Sequence, residues 1–254
     1  MTGSGTDDYA TLAADYHWLE SGQANALSVV ARHGGGARIL DCACGTGTDA
    51  VALSRSGHRV WASDGSPAMV DAARRRVAGA GVDVPVEQCR WHELPGRFPE
   101  PFDLVLCLGN SISHLGGDEM VASFRGMAGV LAGGGRLVLN ARNWEKLRRD
   151  RPRLTFPDRI LERDGRRCVP LYIWSFPEDW AAPHGVEIAF LVESSGRLTV
   201  HRHELAFWPF RRAELHARLE AAGLEVVADD HDPEADWYEV VARPKGVPAN
   251  PSPA

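Results

Sequence analysis

The sequence predicts an α/β fold, a doubly wound and mostly parallel sheet carrying a small antiparallel β insertion. Three observations lead there. From Ala37 to Arg142 short apolar runs alternate with helix-like segments, the joins between them are short and contain glycine, and over residues 155 to 210 β-like runs take over. Alternating strand and helix with tight joins is the pattern of a parallel sheet covered on both faces.

Residues 7 to 33 read as helical and aromatic at first ("YATLAADYHWLE"), with a break near Ser21-Gly22, and are expected to cover the core's open edge. "ARILDCA" is the first strand, followed by helix "TDAVALSRSG", strand "HRVWASD" and helix "SPAMVDAARRRVAGAG". In that helix Ser66 is the expected N-cap and Pro67 the first helical residue. "VPVEQCRW" and "FDLVLCLG" are strands, "EMVASFRGMAGVLAGGG" a helix with its glycine-rich exit, and "RLVLNAR" a strand. In "VEIAFLVESSGRLTVHRHELAFWPF" Ser195-Gly196 reads as a hairpin turn. Helix "RAELHARLEAAG" and strands "LEVVAD" and "DWYEVVARP" then complete the core. The expected division is a helical lid over 1–36, a ligand-binding core over 37–150, a β insertion forming a substrate wall over 151–210, the end of the core over 211–243, and a disordered tail over 244–254.

A chain of 254 residues suffices for one large core. Its net charge of −6 argues against nucleic-acid or anionic-membrane partners, which need clustered Lys and Arg, and leaves a small molecule. No run approaches the ~20 apolar residues of a membrane span. "MTGSGTDDY" lacks the basic and apolar parts of a signal peptide, so a cytoplasmic location is expected. The five cysteines are odd in number and lie mostly in apolar, strand-like contexts, as reduced buried thiols would. Cys42 and Cys44 have no further metal ligands at suitable spacing, so no metal site is expected. The runs at Arg74–Arg76 and near Arg149 read as solvated faces.

In "ILDCACGTGTDA" a strand ends in a glycine loop that opens a helix, where free N–H groups and a positive dipole end await a ligand. Gly45 and Gly47 permit positive φ and close approach, and Gly45-x-Gly47-x-x-Ala50 is also the weak spacing of dinucleotide sites. Asp41, ahead of the glycines, decides between ligands. A carboxylate there repels a pyrophosphate but suits an ammonium and a sulfonium, which S-adenosylmethionine combines. Asp64, ending the second strand, can accept from both hydroxyls of a ribose, and Met69 in the following helical turn can lie on adenine.

"LDCACGTGTD", "CLGNSISHL" and "ARNWE" resemble segments of the class I S-adenosylmethionine-dependent methyltransferases, within them the glycine N-methyltransferase and glycine/sarcosine methyltransferase group. The resemblance covers residues 9 to 145 well and the insertion more loosely, through "ELAFWPF". It implies a seven-stranded Rossmann-like sheet and the cofactor S-adenosyl-L-methionine, leaving S-adenosyl-L-homocysteine as product. It also implies roles. Tyr16 closes over the methionyl group, Ala43 holds the amino-acid end through its backbone and Asp64 holds the ribose, while Asp41, Gly45, Gly47, Gly65 and Ser66 are further expected cofactor contacts. Met69, Arg90 and Trp91 sit beside adenine, with Arg90 where the family carries Asn. Leu108 and His114 line the methionine and substrate sides. Asn110 orients the nucleophile and Arg142 holds a substrate carboxylate, so Asn110, His114 and Arg142 are the catalytic candidates. Trp144, where the family has Tyr, joins Tyr172, Trp174 and Trp208 in a more aromatic substrate pocket, which favours an amine other than free glycine.

The resulting expectation is N-methylation of a small amine or amino acid. O- or C-methylation and, from the glycine spacing, an NAD(P)-dependent oxidoreductase are the alternatives, with a catalytically silent scaffold as a third class. From the residues alone His114 is equally a structural histidine, Tyr172 and Trp174 are equally core of the inserted sheet, and monomer and homo-oligomer both stay open.

Overall fold

The computed structural model describes residues 9–20, 25–33 and 38–246. The break at Ser21-Gly22 and the tail from 247 onward lie outside the described residues. The lid carries two 3-10 turns, Leu12–Ala14 and Tyr16–Trp18, and one α-helix, α1 (Asn25–His33). The continuous helix expected through the aromatic stretch is replaced by these tight turns. Tertiary anchors override helix propensity there: Leu12 and Trp18 are buried, and the carboxylate of Asp15 accepts from His201 Nδ1 and His203 Nε2 at 3.0 Å each.

The core follows in order: β1 (Arg38–Asp41), α2 (Thr48–Arg55), β2 (Arg59–Asp64), α3 (Pro67–Ala80), β3 (Val86–Gln88), α4 (Leu94–Arg97), β4 (Phe102–Cys107), α5 (Gly117–Ala128), β5 (Leu131–Arg142) and α6 (Trp144–Asp150). After a second sheet come α7 (Arg212–Ala221), β11 (Leu224–Asp229) and β12 (Trp237–Pro244). The main sheet has seven strands in the order β11-β12-β5-β4-β1-β2-β3, all parallel except β12. Its central strands are buried from both faces: Ile39, Leu40, Val105, Leu106, Val138 and Leu139 are all 0% exposed. The stretch Ala132–Gly135, read from sequence as the exit of a helix, lies inside β5. Gly135 is needed there because a Cβ would stand 2.8 Å from the Phe102 carbonyl.

The inserted sheet comprises β6 (Leu154–Thr155), β7 (Leu161–Arg163), β8 (Arg166–Ser175), β9 (His184–Ser194) and β10 (Arg197–Phe207). It is antiparallel throughout, in the order β10-β9-β8-β6 with β7 also on β8. Ser195 and Gly196 both take positive φ at the β9–β10 turn, which gives the hairpin its tight reversal. All five cysteines are buried and free. No helix among the described residues is long and apolar enough to cross a membrane.

Gly126 in α5 packs directly on the 3-10 turn Trp91–Glu93, where a Cβ would fall 2.0 Å from the Trp91 carbonyl oxygen. Gly126→Ala is therefore expected to cost about 3 kcal/mol by overpacking. Gly79→Ala, in open space on α3, is expected to add about 0.5–1 kcal/mol. Urea unfolding of the two variants checks the pair, and equal effects would contradict this packing.

Candidate active site

β1 leads to β2 on one side and β4 leads to β5 on the other, so the sheet order reverses between β1 and β4. A crevice opens at their carboxyl ends, and two adjoining cavities of about 380 and 310 Å³ occupy it. Tyr9, Tyr16, Ala43, Gly45 and Ser111 line both.

The first cavity is built on the ends of β2 and β3. Asp64 Oδ2 accepts from the Gly45 N–H and Oδ1 from the Ser66 N–H, each at 2.9 Å, so the carboxylate is fixed at the cavity wall. Ser66 caps α3 through Met69 N–H at 3.2 Å, and Pro67 begins the helix. Met69, buried to 1% exposure, reaches the cavity from that first turn. Trp91 donates its indole N–H to the Cys42 carbonyl at 2.6 Å, pinning the ring against the loop after β1. Gly65 and Arg90 also line this cavity. Gly45 has φ +51°, and a Cβ there would point at the Tyr16 ring, 3.6 Å away, so any side chain would fill the cradle between lid and loop.

His114 lies in the same cavity with its Nε2 2.6 Å from the Tyr9 hydroxyl and its ring tilted on Phe207. Burial pushes its imidazole down to about 4, so it is neutral at pH 7.

The second cavity is flanked by carboxylates. Asp41 is 3% exposed, its one hydrogen bond comes from the Ala43 N–H at 3.4 Å, and no cation opposes it among the described residues. Burial, then repulsion from Asp49 and Asp64, raise its carboxyl well above the usual range. Asp49 is itself raised by burial. Glu20, from the lid, accepts from the hydroxyls of Thr46 and Thr48 and from Arg76. Sequence reasoning missed Glu20 and treated Arg76 as solvated. No local pattern marks either, because the pairing bridges 56 residues.

At the far end of this cavity Arg142 closes β5. Its guanidinium lies over the rings of Trp174 and Trp237, 5.2 and 4.7 Å from their centroids, with no side-chain hydrogen bond or ion pair among the described residues. Burial lowers its pKa. Asn110 takes φ +62° and accepts the Arg142 N–H on Oδ1 at 3.0 Å, tying the loop after β4 to the end of β5. Asn140, unforeseen from sequence, anchors the same loop by accepting the Gly109 N–H at 2.7 Å. Leu108 and Tyr172 also line this cavity.

Three sequence-derived residues stand elsewhere than expected. Gly47 lines neither cavity. It caps α2 at φ +82°, and a Cβ would meet Ala73 at 3.2 Å, so its smallness serves the packing of α2 on α3. Trp144 is 1% exposed and packs behind the site on Trp174, His184 and Phe207. Trp208 faces the first cavity over Gly116, away from Arg142, because alternation along the chain turns Phe207 to the second.

The crevice at the switch point thus holds an oriented acid at the end of β2 and, at the end of β1, a buried acid with no cation against it among the described residues. Residues 39–135 match the family model described as "Methyltransferase domain". Over this segment the chain is similar to class I S-adenosylmethionine-dependent methyltransferase domains. The chain is 34% identical to glycine N-methyltransferase of Oryctolagus cuniculus over 58% of its own length and 50% of that protein. It is 33% identical to a ubiquinone biosynthesis O-methyltransferase of Xanthomonas euvesicatoria over 42% of its length and 43% of that one. The chain thus spans about half the length of the curated relatives it matches. Over 94% of its length it superposes on 99% of an S-adenosylmethionine-dependent methyltransferase from Clostridium acetobutylicum, at TM-score 0.73 and 17% identity. The residues present fit S-adenosylmethionine: Asp41 is a buried acid with no cation against it among the described residues, Asp64 is an oriented acceptor, and Met69 with Trp91 forms apolar walls.

Two outcomes are expected. Asp64→Ala weakens binding of S-adenosylhomocysteine by more than about 1 kcal/mol in calorimetry, since a charged partner of hydroxyls is lost; unchanged affinity places the ribose elsewhere. For His114 the folded value lies below the unfolded value of about 6.5, so the unfolded chain takes up the proton first. Stability falls as pH drops from about 6.5 toward 4, and this one group removes about 1–2 kcal/mol at pH 5. His114→Asn should lose less between pH 7 and 5 in urea titrations; identical losses would contradict the buried neutral state.

Proposed function

We propose that the protein is an S-adenosylmethionine-dependent N-methyltransferase of a small amine or amino acid, with S-adenosylhomocysteine as product. The observation that carries this reading is the guanidinium of Arg142, without a hydrogen-bond or ion-pair partner among the described residues, in a cavity that adjoins the cofactor cradle. An arginine with free donors offers a carboxylate two parallel hydrogen bonds.

When bound, the cofactor supplies an electrophilic methyl on a sulfonium, so the protein's task is alignment. Asp41 would oppose the ammonium of its amino-acid end, Asp64 would hold the ribose, and Tyr16 would close the lid over Gly45. Arg142 would fix the acceptor by its carboxylate. Asn110 holds Arg142's backbone and faces the same cavity, which makes it the positioning residue for the amine. Holding a neutral amine in line supplies several kcal/mol by proximity alone, and no strong base is required. His114, neutral and paired with Tyr9, shapes the wall near the reacting groups.

The test is a methyl-transfer screen over amines, amino acids, phenols and carboxylic acids, read by product mass. A gain of one methyl on nitrogen supports the reading, and methylation confined to phenols or acids overturns it. Arg142→Ala is expected to raise KM for a carboxylate-bearing acceptor at least about tenfold, the loss of roughly 1.4 kcal/mol or more from a charge-assisted pair. S-adenosylhomocysteine affinity should stay nearly intact. No change in KM would place the carboxylate elsewhere.

A further inference from the structure

The wall of the second cavity facing Arg142 is the inner face of the inserted sheet, and its chemistry is almost entirely apolar. Side chains two apart along a strand share a face. Tyr172 and Trp174 on β8, Val186 and Ile188 on β9, and Leu205 and Phe207 on β10 all face the cavity. The strand registers set these in cross-strand rows, Trp174 opposite Val186, Val186 opposite Leu205, and Tyr172 opposite Ile188. Val186, Ile188 and Leu205 line the cavity while being only 2%, 3% and 7% exposed, so they form a closely packed apolar floor.

Polar groups are scarce at this end. The Trp174 indole N–H is turned away to Thr155 Oγ1 at 3.0 Å, and Asn110 Oδ1 is committed to the Arg142 backbone. What remains to meet an acceptor is one guanidinium with its faces on two indoles, the Tyr172 hydroxyl and the Asn110 amide NH2. A polyhydroxylated acceptor such as an amino sugar would leave its hydroxyls unpaired here, which costs binding. Free glycine would satisfy Arg142 and leave the apolar floor uncovered.

Resting on the N-methyltransferase reading above, we propose that the acceptor is an α-amino acid with an apolar side chain. Its carboxylate lies on Arg142 and its side chain on the floor made by Val186, Ile188 and Leu205. That floor, contributed by the insertion alone, is the specificity element. The transfer balances as an SN2 step: the amine lone pair forms the new N–C bond, the S–C bond breaks with its electrons to sulfur, and the ammonium formed releases one proton to solvent.

The experiment measures kcat/KM on the full chain for glycine, alanine, valine, leucine, serine and an amino sugar, with product mass as readout. Each methylene buried on the floor is worth about 0.8 kcal/mol, or about fourfold, so leucine should exceed glycine at least about 30-fold and serine should fall near alanine. In Ile188→Thr the leucine-to-glycine ratio should drop about tenfold or more. The ratio is taken within one variant, so a partial loss of folded protein cancels. Preference for glycine, serine or the amino sugar, or an unchanged ratio in Ile188→Thr, overturns the apolar-acceptor proposal and leaves N-methylation standing. No amine of this panel methylated, with turnover confined to the phenols or carboxylic acids of the screen above, overturns both.

Discussion

A carboxylate buried at the sheet's switch point, with no cation against it among the described residues, is the constraint on which the site depends. Asp41 ends β1 between two parallel neighbours, so its place is set by the most buried part of the sheet. Burying an unpaired charge is costly, and Asp49 and Asp64 add to that cost. The cavity therefore favours an entering ligand with positive charge and disfavours a pyrophosphate. The lid is consistent with this sign. Glu20, the acid it brings to the loop, is satisfied by two hydroxyls and Arg76, so among the described residues Arg76 serves Glu20 and not Asp41.

The second half of the site is a division of labour between two sheets. The parallel sheet ends in the polar groups, Asp41, Asp64, Asn110 and Arg142. The antiparallel sheet supplies the apolar wall. Arg142 joins the two, since its guanidinium touches Trp237 of β12 on one side and Trp174 of β8 on the other. A change in the insertion can thus alter what is bound beside Arg142 while the cofactor cradle, built from other strands, keeps its shape.

Much of this was legible in the sequence because strand ends are legible. Asp41, Asp64 and Arg142 each close an apolar run, and in a parallel sheet every such end points into one crevice. The Ser66-Pro67 start of α3 and the Ser195-Gly196 turn are local chemistry and read directly. What could not be read depends on distant partners. Glu20 meets Thr46 and Arg76, Tyr9 meets His114, and Asn140 holds Gly109, across separations that no periodicity encodes. Gly47 and Trp144, expected at the ligand, stand outside both cavities for the same reason. Their residue types suit a ligand site, but Ala73 and the Trp174–Phe207 cluster claim them for packing. The lid's helical pattern gave way to 3-10 turns because its anchors, among them Asp15 on β10, lie outside it.

The most direct test of the central claim, a nucleoside crevice charged to receive a cation, is calorimetric titration of the intact chain with S-adenosylhomocysteine and with NAD⁺ and NADH. The account predicts one saturable site for S-adenosylhomocysteine and no binding of either dinucleotide. Binding of NAD⁺ or NADH without binding of S-adenosylhomocysteine would contradict it.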